Sequence, residues 1–106
     1  MQKSQYTYSQ QFQMHNDILR PLDKIMRQKG WKILSNSIKE RIYFSPRKGR
    51  LEIYIPTEGY GTGSVQVLLN NQELKTFRRA AKKSLSRSMK HKRFADRVVN
   101  GVMELL

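Results

Sequence analysis

The sequence predicts an α+β domain: an N-terminal helix, a small antiparallel sheet of three or four strands, a long basic helix and a short terminal helix. Three observations carry that expectation. Apolar residues recur at helical spacing over 18–26, a hairpin pattern covers 41–55, and lysines and arginines crowd a strongly amphipathic segment over 74–90. With 106 residues and 38% hydrophobic content, the chain can bury one modest core as a single domain over 16–106.

The first fifteen residues are polar and rich in Gln, and read as an arm or a lead-in helix. Ile18, Leu19, Leu22, Ile25 and Met26 then mark a helix that Gly30 stops. Pro21 deletes a backbone donor, so either a kink sits near Asp17 or a new helix opens there with Pro in its first turn. Trp31 next to Gly30 reads as a core anchor at the helix-to-strand turn, with a first strand over 31–34.

Strands over 41–45 and 50–55 flank Pro46-Arg47-Lys48-Gly49, which reads as a hairpin turn. Pairing Ser45 with Arg50 sets Phe44 opposite Leu51 and Ile42 opposite Ile53, all apolar. The other face then holds Tyr43 opposite Glu52 and Arg41 opposite Tyr54. The Gly-rich loop 59–64 lacks the Lys of a phosphate-binding loop and serves as a connection, and 65–69 reads as a further strand.

Asn70 as an N-cap, with Glu73 three residues later, predicts a helix running to about Met89. At about 100° per residue, Lys75, Arg78, Arg79, Lys82, Lys83, Arg87 and Lys90 share one half of that helix. Leu74, Phe77, Ala81 and Leu85 share the other. After a joint over 90–93, Phe94, Val98, Val102 and Leu105 mark the terminal helix, whose stripe either packs internally or pairs two chains in a homodimer.

Charge decides the expected partner. Twenty-one Lys and Arg against eight Asp and Glu give +13, and ten of those cations lie between 71 and 97 against only Glu73 and Asp96. Solvated helix faces ordinarily mix signs, so a one-sign face points to a polyanion that relieves the repulsion and releases counterions. The expected function is non-catalytic nucleic-acid binding, RNA or DNA, through phosphate contacts from the seven cations named above, with weak sequence specificity. Arg41, Tyr43, Arg47, Lys48, Arg50 and Tyr54 on the hairpin form a second candidate surface mixing cations with aromatics, although cross-strand pairing accounts for the same residues. The alternative partner is an acidic surface of a protein or ribonucleoprotein machine.

Without cysteine there is no disulfide, thiolate nucleophile or cysteine-ligated zinc, and no metal or cofactor is expected. His15 and His91 stand far apart with no metal or triad spacing, which leaves a small ribonuclease as a minor third reading. No apolar run reaches the roughly 18 residues of a spanning helix, and a cytoplasmic setting is the expectation.

The order helix, strands, basic helix resembles the double-stranded-RNA-binding fold. Residues 22–55 (LDKIMRQKGWKILSNSIKERIYFSPRKGRLEIYI), about a third of the chain, also resemble the HicA type of mRNA-interferase toxin: helix, Gly-aromatic, strand, strand, basic turn, strand. The resemblance implies an α-β-β-β-α topology and leans toward RNA. It implies no catalytic residue, because Lys39, Glu40 and Arg41 stand where that toxin family carries a His at its second strand. Asn71-Gln72-Glu73 likewise stand where the double-stranded-RNA fold has a basic cluster.

Overall fold

The computed structural model describes residues 12–56, 64–78 and 87–106, the last with side chains from 91 onward. The fold is α+β, and the described residues form five strands rather than three or four. They form one antiparallel meander in the order β1 (Lys32–Ser35), β2 (Glu40–Ser45), β3 (Gly49–Tyr54), β4 (Ser64–Leu69), β5 (Gln72–Arg78). Helix α1 (12–28) precedes the sheet and α2 (Arg87–Leu105) follows it. Their apolar stripes share one core with the strands, built on Ile18, Leu22, Met26, Tyr43, Leu51, Ile53, Val65, Val67, Phe77, Val98 and Val102.

Helix α1 starts inside the segment read as an arm or a lead-in helix, and its described part begins at residue 12. Its middle, His15–Leu19, is π-helical, and the α-helical part, Arg20–Gln28, carries Pro21 in its first turn. The Arg20 N–H bonds the His15 carbonyl five residues back. This wide turn directly precedes the proline, whose ring would otherwise collide with a carbonyl of the preceding turn. At the other end, Gly30 at φ +89° closes a Schellman motif: Trp31 N–H bonds Met26 O (2.9 Å) and Gly30 N–H bonds Arg27 O (3.1 Å). Trp31 is thereby turned into the core, as the sequence led us to expect.

The β2–β3 hairpin forms, but one residue out of the expected register. Ser45 pairs with Gly49, Tyr43 with Leu51 and Arg41 with Ile53. The reason is the turn: only Pro46-Arg47-Lys48 loop out, and Gly49 at φ +98° rejoins the ladder as the left-handed residue of a three-residue hairpin. Because side chains alternate, a slip of one exchanges the two faces. Arg41 and Tyr43 go to the helix side, and Ile42 and Phe44 go to the outer one.

The larger correction concerns 70–78. The helix expected from Asn70 to Met89 does not exist over that stretch, where the chain forms β5. Asn70 and Asn71 sit at φ +51° and +68°, as a two-residue type I′ turn requires, and Leu69 pairs with Gln72 across it. Asparagine tolerates this left-handed backbone better than other side-chain-bearing residues. Asn70 also bridges the two turns: its side chain accepts from Arg50 N–H (2.9 Å) and donates to Lys48 O (3.2 Å). A Cβ at Gly49 would come within 2.1 Å of the Asn70 Oδ1, so that glycine is needed for space as well as for φ.

In β5, Phe77 faces the core, whereas Leu74, expected on the same apolar stripe, is the extra residue of a register shift and is 40% exposed. The terminal stripe packs internally: Phe94, Val98 and Val102 are buried, and Leu105 is exposed. The expected joint at 90–93 is absent, because 87–105 is one helix. Gly101 lies against Phe77, where an added Cβ would meet the ring at 2.5 Å, so the glycine lets α2 settle on β5.

Candidate functional site

The structure separates the sequence-predicted site residues into three groups. Arg41 and Tyr43 are interior, 2% and 0% exposed, and do not belong to a contact surface. Arg41 Nε donates to Asp23 Oδ1 (2.8 Å), and Tyr43 Oη donates to the same oxygen (2.7 Å). A second guanidinium nitrogen of Arg41 lies 2.9 Å from His15 Nε2. Arginine stays protonated, so it must be the donor, and His15 is held neutral with its proton on Nδ1. Burial, and next the Arg41 charge, lower the His15 pKa below its usual 6.5, while the neighbouring Asn16 side chain and the Asp23 charge act the other way. Burial and the bond to Asp23 push the Tyr43 hydroxyl up, so it remains a donor. These are groups tied to one another across α1 and β2. The sequence hid them because either register of β2 gives an amphipathic strand.

The outer face of the sheet is the second group. The register places Lys32, Phe44 and Arg50 in one row, with Ile42, Glu52, Leu68 and Glu73 in the next. Glu40, Tyr54, Gln66 and Thr76 form a third row, with Arg78 beyond it. On this face Lys32 and Arg50 meet Glu40, Glu52 and Glu73, and Arg50 is bonded to Glu52 at 2.9 Å; Arg78 stands at the edge of the face, where α2 adjoins it. Phe44 is 38% exposed beside the two cations of its row. Tyr54 lies two rows away, so the pairing of Tyr54 with Arg41 and Tyr43 expected on one surface does not form.

The third group lies where β5, the sheet edge, meets α2. Arg97 donates a guanidinium hydrogen bond to the Arg78 carbonyl oxygen, and its guanidinium rests 5.3 Å from the Phe94 ring centre. The Lys75 ammonium sits 5.2 Å from the Phe77 ring centre. Lys75, Arg78, Arg93 and Arg97 are all exposed, and Arg93 stands on α2 one helical turn before Arg97. Arg79, Lys82 and Lys83 lie outside the described residues; Arg87 and Lys90 fall in the first turn of α2. His91 is buried in α2.

Arg47 and Lys48 project from the β2–β3 turn near the C-terminal end of α2, where the Lys48 ammonium donates to the Leu106 carbonyl oxygen. Among the described residues, no three His, Asp or Glu side chains gather as a metal site, and no helix is long and apolar enough to cross a membrane. Compared with known proteins, the chain matches no family model, no curated sequence and no solved structure.

Proposed function

We propose that the protein binds a nucleic-acid backbone without catalysis, through the basic seam between β5 and α2. The observation that carries this reading is the local imbalance of charge: residues 75–97 hold ten cations and one acid, Asp96. Of the described members, Lys75 and Arg78 stand on the edge strand β5, and Arg87, Lys90, Lys92, Arg93 and Arg97 on α2, which meets that edge. Away from that edge, the outer face of the sheet carries Lys32 and Arg50 against Glu40, Glu52 and Glu73, so it offers a polyanion no comparable attraction. Phosphate contacts from exposed, long side chains position a duplex or strand without reading bases, so weak sequence preference follows.

The test is filter binding of a 20-base-pair duplex and of single strands, in RNA and DNA, at several salt concentrations. With about five phosphates neutralised, the log–log salt slope for a duplex is about −4 to −5. Lys75→Glu/Arg78→Glu/Arg93→Glu changes exposed side chains only and leaves the Arg97 link in place. This variant should bind at least about tenfold more weakly and lose about 2–3 of the slope. Unchanged affinity in the triple variant removes the seam from the reading. Absence of binding by the native chain at low salt removes the polyanion altogether and leaves an acidic protein surface as the partner.

A further inference from the structure

One polar cluster takes no part in the seam: His15, Arg41, Asp23 and Tyr43, where the start of α1 lies on β2. Every guanidinium nitrogen of Arg41 has a partner there. Nε bonds Asp23 Oδ1 (2.8 Å), one terminal nitrogen bonds the Ser37 carbonyl (3.4 Å), and the other bonds His15 Nε2 (2.9 Å). The arginine is therefore held from two further sides and cannot step back. A proton arriving on His15 Nε2 would set an imidazolium N–H against a guanidinium N–H, and neither group can accept. The neutral ring is itself only partly satisfied, because its buried Nδ1 has no hydrogen-bond partner among the described residues.

The backbone beneath His15 is where α1 can give way. His15–Leu19 is the π-helical turn, a single-turn geometry frequent at functional sites, and Pro21 close behind contributes no backbone N–H. Sharp bends in helices arise at such positions. The same turn packs against α2, the helix that carries Arg93 and Arg97. The charged groups acting on the His15 ring are Arg41 from β2, and Asp23 and Arg20 from α1. Asp23 is already engaged by Arg41 and Tyr43, and Asp17 stands on the π turn itself. From α2, His91 is the one buried titratable group among the described side chains.

We propose that His15 is a proton sensor: charging its ring breaks the contact with Arg41, opens residues 12–19 at the π turn, and withdraws their support from α2. The link to the seam rests on the nucleic-acid reading above; the opening of the turn does not. Burial and the Arg41 charge hold the ring's pKa below 6.5 in the closed form, so the opening sets in as pH falls below that value.

Hydrogen exchange of the full chain, followed by mass spectrometry at pH 7.5 and pH 5.0 and corrected for the intrinsic rate, tests this. An open ring titrating near 6.5, against a closed one that takes no proton, raises the open-to-closed ratio by about thirtyfold between these values. Amides of 12–19 should lose protection toward that ceiling while remaining far less protected than β3 and β4. His15→Gln, which cannot charge, should show no such loss, and His91→Gln should retain it. Unchanged protection of 12–19 in the native chain overturns the proposal. So does protection of 12–19 equal to that of β3 and β4, since the turn would then open only with the whole domain. An equal loss in His15→Gln, or its disappearance in His91→Gln, overturns it as well.

Coupling between two sites is reciprocal, so a ligand that needs α2 in place holds the turn shut. A saturating 20-base-pair duplex at pH 5.0 should restore protection of 12–19, and unaltered exchange with the duplex bound overturns the link between turn and seam. A duplex that binds at neither pH fells the nucleic-acid reading alone, and the exchange of the free chain still decides whether His15 senses protons.

Discussion

At the scale of single residues, Arg41 sets the clearest expectation. Its guanidinium is 2% exposed and its Nε bonds an Asp23 carboxylate that is itself only 18% exposed. Removing one member of such a pair leaves the other charge buried and uncompensated, so Arg41→Met should cost about 3–5 kcal/mol in urea unfolding. Arg47→Ala, on an exposed turn, should stay within about 0.5 kcal/mol. If Arg41→Met left stability unchanged but weakened nucleic-acid binding, Arg41 would be a contact residue after all. His15 sets a second expectation. Its folded-state pKa lies below the unfolded value near 6.5, so folding favours the neutral ring. The stability this contributes is complete above about pH 6.5 and declines as pH falls through that value toward the lowered folded pKa. His15→Gln keeps an acceptor for Arg41 without a titrating proton. Its unfolding free energy should therefore fall less than the native chain's between pH 7 and pH 5, and parallel curves would show that His15 contributes nothing to the slope. None of this was legible in the sequence. Arg41 and Tyr43 alternate with Ile42 and Phe44, so both faces of β2 look equally plausible as core until the turn length is known, and that depended on Gly49 alone.

At the scale of elements, what could be read depended on how many physical signals agreed. For α1, apolar spacing, Gly30 and the Gly-Trp junction all pointed the same way, and the helix and its anchor formed as expected. For 70–78 two signals conflicted. Asn70 and Glu73 suit a helix N-terminus, but Asn-Asn between two apolar-containing runs also suits a type I′ hairpin, and the second arrangement buries Phe77 beside Val65 and completes the sheet. Tertiary pairing decided against the local cap. The outcome is testable at Gly101. On a solvated helix face, Gly→Ala gains about 1 kcal/mol from helix propensity. Here the new Cβ would press on Phe77 at 2.5 Å, so Gly101→Ala should instead destabilise by about 1–3 kcal/mol. Combined with Phe77→Leu, which opens space, the loss should shrink, with a coupling of about 1–2 kcal/mol in the double-mutant cycle. A stabilising Gly101→Ala would mean that α2 does not rest on β5.

At the scale of the whole molecule, a net charge of +13 on 106 residues acts on folding and on binding with opposite signs. In the folded state the cations are held near one another, and unfolding lets them separate. Salt screens that repulsion over a distance of about 10 Å at 0.1 M and less at higher concentration, so it should favour the compact state. The same salt competes with phosphate contacts and weakens nucleic-acid binding. Two measurements on one sample therefore move apart: between 50 and 500 mM NaCl the thermal midpoint of the free protein rises while affinity for a duplex falls. Adding duplex at 50 mM salt should raise the midpoint, because a ligand that prefers the folded chain stabilises it by RT ln(1 + [L]/Kd), and this gain should vanish at 500 mM. The Lys75→Glu/Arg78→Glu/Arg93→Glu variant lowers the net charge by six. It should start with a higher midpoint at low salt, respond less to salt and gain little from the duplex. A triple variant that is less stable at low salt would show that these cations hold the seam together rather than strain it, and the argument from accumulated repulsion to a polyanionic partner would lose its physical basis.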